Sequence, residues 1–483
     1  MSAPTLMIQG TASGVGKSIL TAAFCRIFAR QGMRVLPFKA QNMSNNAAVT
    51  AEGGEIGRAQ ALQARAAGVT PHVLMNPVLL KPMADQRSDV VLLGRSRPDL
   101  RELPWHERKT VLWSQVADSL DTLRSSADLV VIEGAGSPAE TNLRASDIVN
   151  MAVAHHAVAT VLLVADIDRG GAFAALYGTW ALLEPNDRAR IRGFILNRFR
   201  GDAGLLAPAP DDLERATGIP TLGVVPFVRH DLPDEDAFGM RSRNGGAIRV
   251  AAVRFPHIAN FDDLDPIARE PASSVHWTQD AGAIHNAHAI VLPGTRNSVA
   301  DLQWLWESGL AAVIRARAAA GIPVVGLCGG YQMLGTTIRD PNQIEGGGSC
   351  AGLGLLDGET ELMAVKHTRA VTALATRLPF LSDQPMRLSG YEIHHGETTT
   401  DRHTCMTVED KPIGSCKDNV WGAYLHGIFD NDAFRAAWLG SLGGAASALR
   451  WTEHIDRELD RLADAVCGSV DLHRICSLIW PAR

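Results

Sequence analysis

The chain is poor in several features that would assign a function class at once. Its seven cysteines are scattered through 483 residues with no C-x-x-C pair, which argues against a disulfide framework and against a zinc site and fits a reducing cytoplasm. No uninterrupted apolar stretch reaches membrane-spanning length, and the N-terminus lacks a basic region before its short apolar segment, so neither insertion nor export is expected. A formal net charge of −6, with both signs interspersed, provides no basic field for nucleic acid. Aromatics are only 6% of residues. What remains is an ordinary soluble composition, 46% hydrophobic and 20% charged, with 45 glycines. Small-molecule partners are expected, and nothing in the sequence fixes an oligomeric state.

Against that background the glycines mark two places where backbone geometry matters. Near the start, an apolar run at residues 5–9 leads into Gly10-Thr-Ala-Ser-Gly-Val-Gly-Lys17-Ser18 and then an amphipathic stretch to about Gln31. Strand, loop, lysine, hydroxyl and helix in that order describe a phosphate-binding loop. Its amides converge on phosphate oxygens, Lys17 adds a point charge, and Ser18 can hold a magnesium ion. The common spacing would place a first glycine at position 11, where this chain has Thr11.

Further apolar runs at 34–38, 128–133, 160–166 and 193–197 each end in polar residues, predicting a parallel sheet with its chemistry on one edge. Glu133, ending one of these runs before a Gly-Ala-Gly turn, is placed to face a metal bound with the phosphates. Asp166 and Asp168 end another run, and Asn197 to Arg200 a third. The amide-rich run from Lys39 to Asn46 stands at the same edge and reads equally as a ligand site or a solvated loop. Helices are expected over 55–67 and 105–125.

The segment between His230 and Ala247 turns acidic and then glycine-rich, predicting a domain boundary. Beyond it, strands are expected at 248–253, 289–292, 389–398 and 420–426, a loop at 345–354, and mostly helix from about residue 432. Domains are therefore expected at 1–235 and 248–440, followed by a helical tail at 441–483. The second place where glycine matters is Pro323-Val-Val-Gly-Leu-Cys328-Gly329-Gly330, a strand running into a cysteine and two glycines. That pattern predicts an exposed nucleophile on a strand-to-helix turn. A thiol with an ordinary pKa near 8.5 needs a base to be a nucleophile at neutral pH. His426, at the tip of a strand before a glycine, is the preferred candidate, with His394 and His395 as rivals. The amides of Gly294 and Gly329 are candidate oxyanion donors.

These motifs together resemble a known combination. The phosphate loop is similar to that of dethiobiotin synthetase and its relatives. Gly-Leu-Cys328-Gly-Gly-Tyr-Gln-Met-Leu-Gly with Tyr-Leu-His426-Gly-Ile-Phe resembles the triad-type glutamine amidotransferase domain found in cobyric acid synthases and cobyrinic acid a,c-diamide synthases. The loop wording, the Lys39-Ala-Gln-Asn-Met-Ser-Asn-Asn run and Glu133-Gly-Ala-Gly-Ser-Pro resemble the cobyric acid synthase family in particular. The implied fold is α/β, an N-terminal P-loop parallel-sheet domain followed by a C-terminal α/β glutamine amidotransferase domain.

The resemblance implies that Thr11, Ser13, Gly14, Val15, Gly16, Lys17, Ser18 and Asn197 hold ATP, and that Ser18 and Glu133 hold Mg2+. It implies that Lys39, Gln41, Asn42, Asn45 and Asn46 face the acceptor, and that Cys328 and His426 release ammonia from glutamine. The acceptor would be adenosylcobyrinic acid a,c-diamide. Many amidotransferases carry a glutamate two residues after the histidine; here that position is Ile428, leaving the third triad member unassigned. The a,c-diamide synthase and an ATPase switch with a retired glutaminase domain stand as alternatives.

Overall fold

A computed structural model describes residues 2–82, 88–101, 103–233, 242, 245–381, 384–399, 403–445 and 448–481. The chain divides into two compact units. The first comprises Met1–Ser44, Gly54–Leu232 and Ile455–Arg483, the second Asn45–Gly53 and Pro233–His454. This division departs from the expected boundaries in two places, at the amide-rich run and at the C-terminus. Much of the boundary segment itself, including Asp234, Glu235, Asp236 and Asn244, lies outside the described residues.

In the first unit, six parallel strands run in the order Thr221–Pro226, Ile191–Phe199, Thr160–Asp166, Thr5–Gly10, Leu129–Glu133 and Val35–Phe38. All but the edge strand Thr221–Pro226 are buried through their centres, which is why those five read in the sequence as continuous apolar runs rather than alternating ones. The expected helix at 55–67 is instead a short strand, Glu55–Gly57, followed by the helix Arg58–Ala66. Glu55 there forms a buried ion pair with Lys81, and a buried carboxylate fixed in that way is not free to begin an exposed first helical turn.

The expected tail at 441–483 does not stand by itself. Ile455, Leu459, Leu462, Ala463 and Val466 are buried along one face of the helix Trp451–Cys467, the spacing of an amphipathic helix docked on a core. Arg26 on the first helix of the unit meets Asp460 at 2.8 Å, Arg65 meets Asp456 at 3.1 Å, and Trp480 packs edge-on against Phe28.

The second unit holds an eleven-stranded sheet. Among the described residues, a run of five neighbouring strands is parallel: Ser273–Thr278, Ile248–Val253, Ala289–Leu292, Val324–Leu327 and Val420–Ala423. The sheet then continues antiparallel through Lys411–Lys417, Thr404–Val408 and Glu359–Ala375, on which Met386–Thr398 also pairs. The stretch expected as a loop at 345–354 contains the strand Gly348–Ala351. Both units are α/β, as expected, the second with an antiparallel extension that the sequence did not announce.

Candidate active site

Cys328 follows the last residue of the Val324–Leu327 strand and precedes the short helix Gly329–Leu334. Its backbone has φ 50° and ψ −107°, a left-handed conformation that costs a non-glycine residue about 1–3 kcal/mol and is typical of residues held for function. The two glycines after it are required by packing. A Cβ on Gly330 would lie 1.9 Å from the Leu292 carbonyl oxygen, and one on Gly329 would lie 2.5 Å from the Thr295 methyl. Only a chain without side chains there lets the helix settle against the neighbouring strand.

The expectation of an exposed thiol is corrected: Cys328 is 7% exposed. The Met386–Thr398 strand covers it, and Sγ donates to the Ile393 carbonyl at 3.7 Å.

His426 likewise differs from the strand tip expected of it. The strand ends at Ala423, and His426 lies beyond it, buried, just before Gly427 at φ 73°. Its ring stacks on Tyr391 with centroids 5.2 Å apart, and its backbone N–H donates to the Tyr391 carbonyl at 2.9 Å. Nδ1 lies 2.6 Å from Oδ2 of Asp263, whose Oδ1 accepts the Gly427 N–H at 2.7 Å. With Nδ1 engaged, Nε2 is the nitrogen left for the cysteine.

Burial disfavours a charged ring. The Asp263 carboxylate, the Cys328 sulfur and hydrogen bonds to both outweigh it, raising the His426 pKa from 6.5 to about 10. The rivals are engaged elsewhere. His394 Nδ1 meets the Gly396 carbonyl at 2.8 Å while its ring stacks on Tyr424, and His395 Nδ1 meets the Met363 carbonyl at 3.0 Å.

Asp263 is the residue that sequence reasoning missed. It lies on the one-turn helix Phe261–Leu264, entered through Asn260 in the left-handed region at φ 50°. The adjacent Asp262-Asp263 pair reads in sequence as a solvated turn, although Asp263 is 1% exposed. Gly294, the other candidate oxyanion donor, is close by: a Cβ there would meet His426 Cε1 at 3.2 Å.

In the first unit the glycine loop joins the Thr5–Gly10 strand to the helix Lys17–Arg30. Gly14 and Gly16 have φ of 74° and 97°. The Lys17 ammonium donates to the carbonyls of Ala12 at 2.9 Å and Gly136 at 3.0 Å. The Thr11 N–H is engaged by the Val164 carbonyl at 2.9 Å, while Ser13 is exposed and Val15 buried. Asn197 donates to the Val15 carbonyl at 2.8 Å and so braces the loop.

Glu133 is the hub of a buried polar cluster. Its Oε1 accepts from Ser18 Oγ and from Lys39 Nζ, each at 2.8 Å, and its Oε2 accepts from Gln63 at 2.5 Å and Gln60 at 3.4 Å. A hydroxyl and a carboxylate oxygen side by side at the start of the phosphate-loop helix are hard donors of the kind Mg2+ takes. Asn42 joins the same cluster by donating to Gln60 at 2.9 Å. Of the residues expected to face an acceptor, Lys39, Gln41 and Asn42 belong to the first unit and Asn45 and Asn46 to the second. The second unit fixes this piece through the Ala47 carbonyl, which accepts from Asn260 and from the Tyr391 hydroxyl, each at 3.2 Å.

Comparisons with known proteins match two successive stretches of the chain. Residues 249–434 match the CobB/CobQ-like glutamine amidotransferase domain, and residues 6–240 match the CobQ/CobB/MinD/ParA nucleotide binding domain. The cobyric acid synthase of Deinococcus radiodurans is 48% identical over 98% of this chain and the whole of that protein. That of Chloroflexus aggregans is 46% identical over 99% of this chain and the whole of its own. That of Variovorax paradoxus is 49% identical, covering 96% and 97% respectively. With a nucleotide-binding unit, a glutamine amidotransferase unit and relatives matched end to end, the chain belongs to the cobyric acid synthase family and is a glutamine-dependent amide ligase of cobalamin biosynthesis.

Proposed function

We propose that the chain amidates the b, d, e and g propionate carboxylates of adenosylcobyrinic acid a,c-diamide, using glutamine as nitrogen donor and ATP as activator, to give adenosylcobyric acid. The observation that carries the nitrogen half is the buried series of Cys328, His426 and Asp263. His426 takes the Cys328 thiol proton as the sulfur attacks the γ-carboxamide carbon of glutamine, and the imidazolium then gives that proton to the departing ammonia. A glutamyl thioester remains. Water, deprotonated by His426, then releases glutamate and restores the thiol. Asp263 keeps the ring oriented and stabilises its charged form. The amides of Gly294 and Gly329 are the donors assigned to the oxyanion.

For the acceptor half, Lys17 and the loop residues from Thr11 to Ser18 would bind the ATP phosphates, with Asn197 bracing the loop. Ser18 and Glu133 would hold Mg2+, whose role is to neutralise charge on the phosphates. Phosphoryl transfer to a substrate carboxylate gives an acyl phosphate, and ammonia displaces phosphate from it to form the amide. Lys39, Gln41, Asn42, Asn45 and Asn46 are assigned to the acceptor. Incubation with ATP, Mg2+, glutamine and corrinoid acids, counting amides by mass, tests the reading. Four additions to the a,c-diamide are expected. Two additions to the unamidated acid would instead indicate an a,c-diamide synthase, and ATP turnover without amidation a nucleotide switch.

A further inference from the structure

We propose that Asp301 is a positioning residue for the glutaminase centre, holding in register the two chain segments that flank Cys328. The proposal rests on the reading of Cys328 as the nucleophile that attacks glutamine. One segment, residues 257–263, ends at Asp263, the partner of His426. The other, residues 294–297, follows the Ala289–Leu292 strand and begins with the candidate oxyanion residue Gly294. Asp301 lies on the following helix, Ser298–Glu307, and is fully buried.

An ionised carboxylate can only accept hydrogen bonds, and this one draws donors from both segments. From the first, His257 Nδ1 lies 2.7 Å from Oδ1, and the His257 backbone N–H approaches both oxygens at 3.3 Å. From the second, the Thr295 hydroxyl makes a short hydrogen bond to Oδ2. Thr295 Oγ1 also lies 3.1 Å from the His257 carbonyl. With a single hydrogen to give, it gives it to the nearer, charged acceptor, and its oxygen accepts the Asn297 N–H at 3.1 Å. Two backbone bonds complete the junction, Arg296 N–H to the His257 carbonyl and Ala259 N–H to the Gly294 carbonyl, each at 2.9 Å.

The junction bears directly on the reacting groups. The Thr295 backbone nitrogen lies 3.2 Å from the position a Cβ on Gly329 would take, immediately after the nucleophile, and the corresponding position on Gly294 is 3.2 Å from the His426 ring. Loss of the Asp301 acceptors therefore frees the 294–297 turn to shift against both the oxyanion donors and the imidazole. Such a shift weakens binding of the developing oxyanion more than binding of glutamine itself, so it acts on kcat before KM.

The test measures glutamine hydrolysis and ammonia-driven synthesis by the full-length chain carrying Asp301→Asn, Thr295→Val or Thr295→Ser, with Cys328→Ala as control. Asp301→Asn and Thr295→Val are expected to lower glutaminase kcat by about 10- to 100-fold, with KM for glutamine within about threefold, the scale of a misplaced oxyanion donor. Thr295→Ser keeps the hydroxyl and should restore kcat to within about threefold of the parent. Ammonia-driven synthesis should persist in all of them. Unchanged kcat in Asp301→Asn and Thr295→Val, while Cys328→Ala is inactive, overturns the proposal alone. So does a parallel loss of kcat, KM and thermal stability that Thr295→Ser fails to relieve, which marks a purely structural role. A Cys328→Ala chain that still hydrolyses glutamine overturns the reading of the site, and the proposal with it.

Discussion

Asp263 Oδ2 sits 2.6 Å from His426 Nδ1 with both side chains almost completely buried. The other carboxylate oxygen is held by the Gly427 N–H at 2.7 Å, so the acid is fixed by the residue next to the histidine it serves. The position two residues after His426, acidic in many amidotransferases, is Ile428 here, buried in the core. An acid on a different segment provides the contact.

Asp263→Asn keeps the shape of that contact and removes its charge. Glutamine-dependent synthesis should fall by about 10³- to 10⁴-fold, the scale seen when the acid of a nucleophile–His–Asp series becomes an amide. Synthesis from added ammonium salts should be retained, and comparing the two nitrogen sources checks the assignment. Equal loss from both would remove Asp263 from the glutaminase half of the reaction.

The same pair makes a statement about alkaline stability. The folded-state pKa of His426 is raised from 6.5 to about 10. Its contribution to stability is therefore fully present below about pH 6.5 and is lost as pH rises through about 10. Urea unfolding between those limits should show a decline in the parent that is much smaller in Asp263→Asn. A decline of the same size in both would mean that another group titrates there.

Much of this architecture can be read from the chain, and the parts that cannot share a cause. The buried parallel strands read directly because burial on both faces leaves continuous apolar runs; the strand at Thr160–Asp166 coincides with its expected limits. The phosphate loop and the cysteine elbow read well because glycine is demanded there by close backbone approach. Asp263 did not, since it meets its histidine across 163 residues and its own segment looks like a polar turn. The sequence points to Cys328 and His426 but not to their burial, because local sequence carries no trace of the distant strand bearing Tyr391 and Ile393. The tail's helix is visibly amphipathic, yet periodicity does not name the surface that receives it.

In the first unit, Lys17→Ala should stop amide formation from glutamine and from ammonium salts alike, because phosphate binding precedes both. ATP binding measured by calorimetry should weaken in parallel. Continued synthesis from ammonium salts would remove the phosphate loop from the mechanism.

Glu133→Gln tests the polar cluster in a second way. Lys39 and Glu133 form a buried ion pair at 2.8 Å, one contact of Lys39 among others, and breaking a buried pair by neutralising one side costs up to about 3–5 kcal/mol. The variant should unfold at lower urea concentration as well as lose activity with either nitrogen source. An inactive variant of unchanged stability would mean that the remaining contacts of Lys39 hold it without the carboxylate charge.

The C-terminal helix provides the last expectation. Leu459 is fully buried and faces the first unit's core between Ile455 and Leu462, and Asp460 beside it is paired with Arg26. A dispensable tail would tolerate Leu459→Ala. A helix that completes the core would lose about 2–5 kcal/mol, because the deleted side chain leaves a cavity the surrounding helix and strands cannot fill. Asp460→Ala gives the contrast: its pair with Arg26 is partly exposed, and such pairs contribute about 1 kcal/mol or less. Urea unfolding of the two variants should therefore separate by well over the cost of the ion pair. If both changes were equally mild, the buried face of the helix would contribute little, and the tail would be an appendage after all.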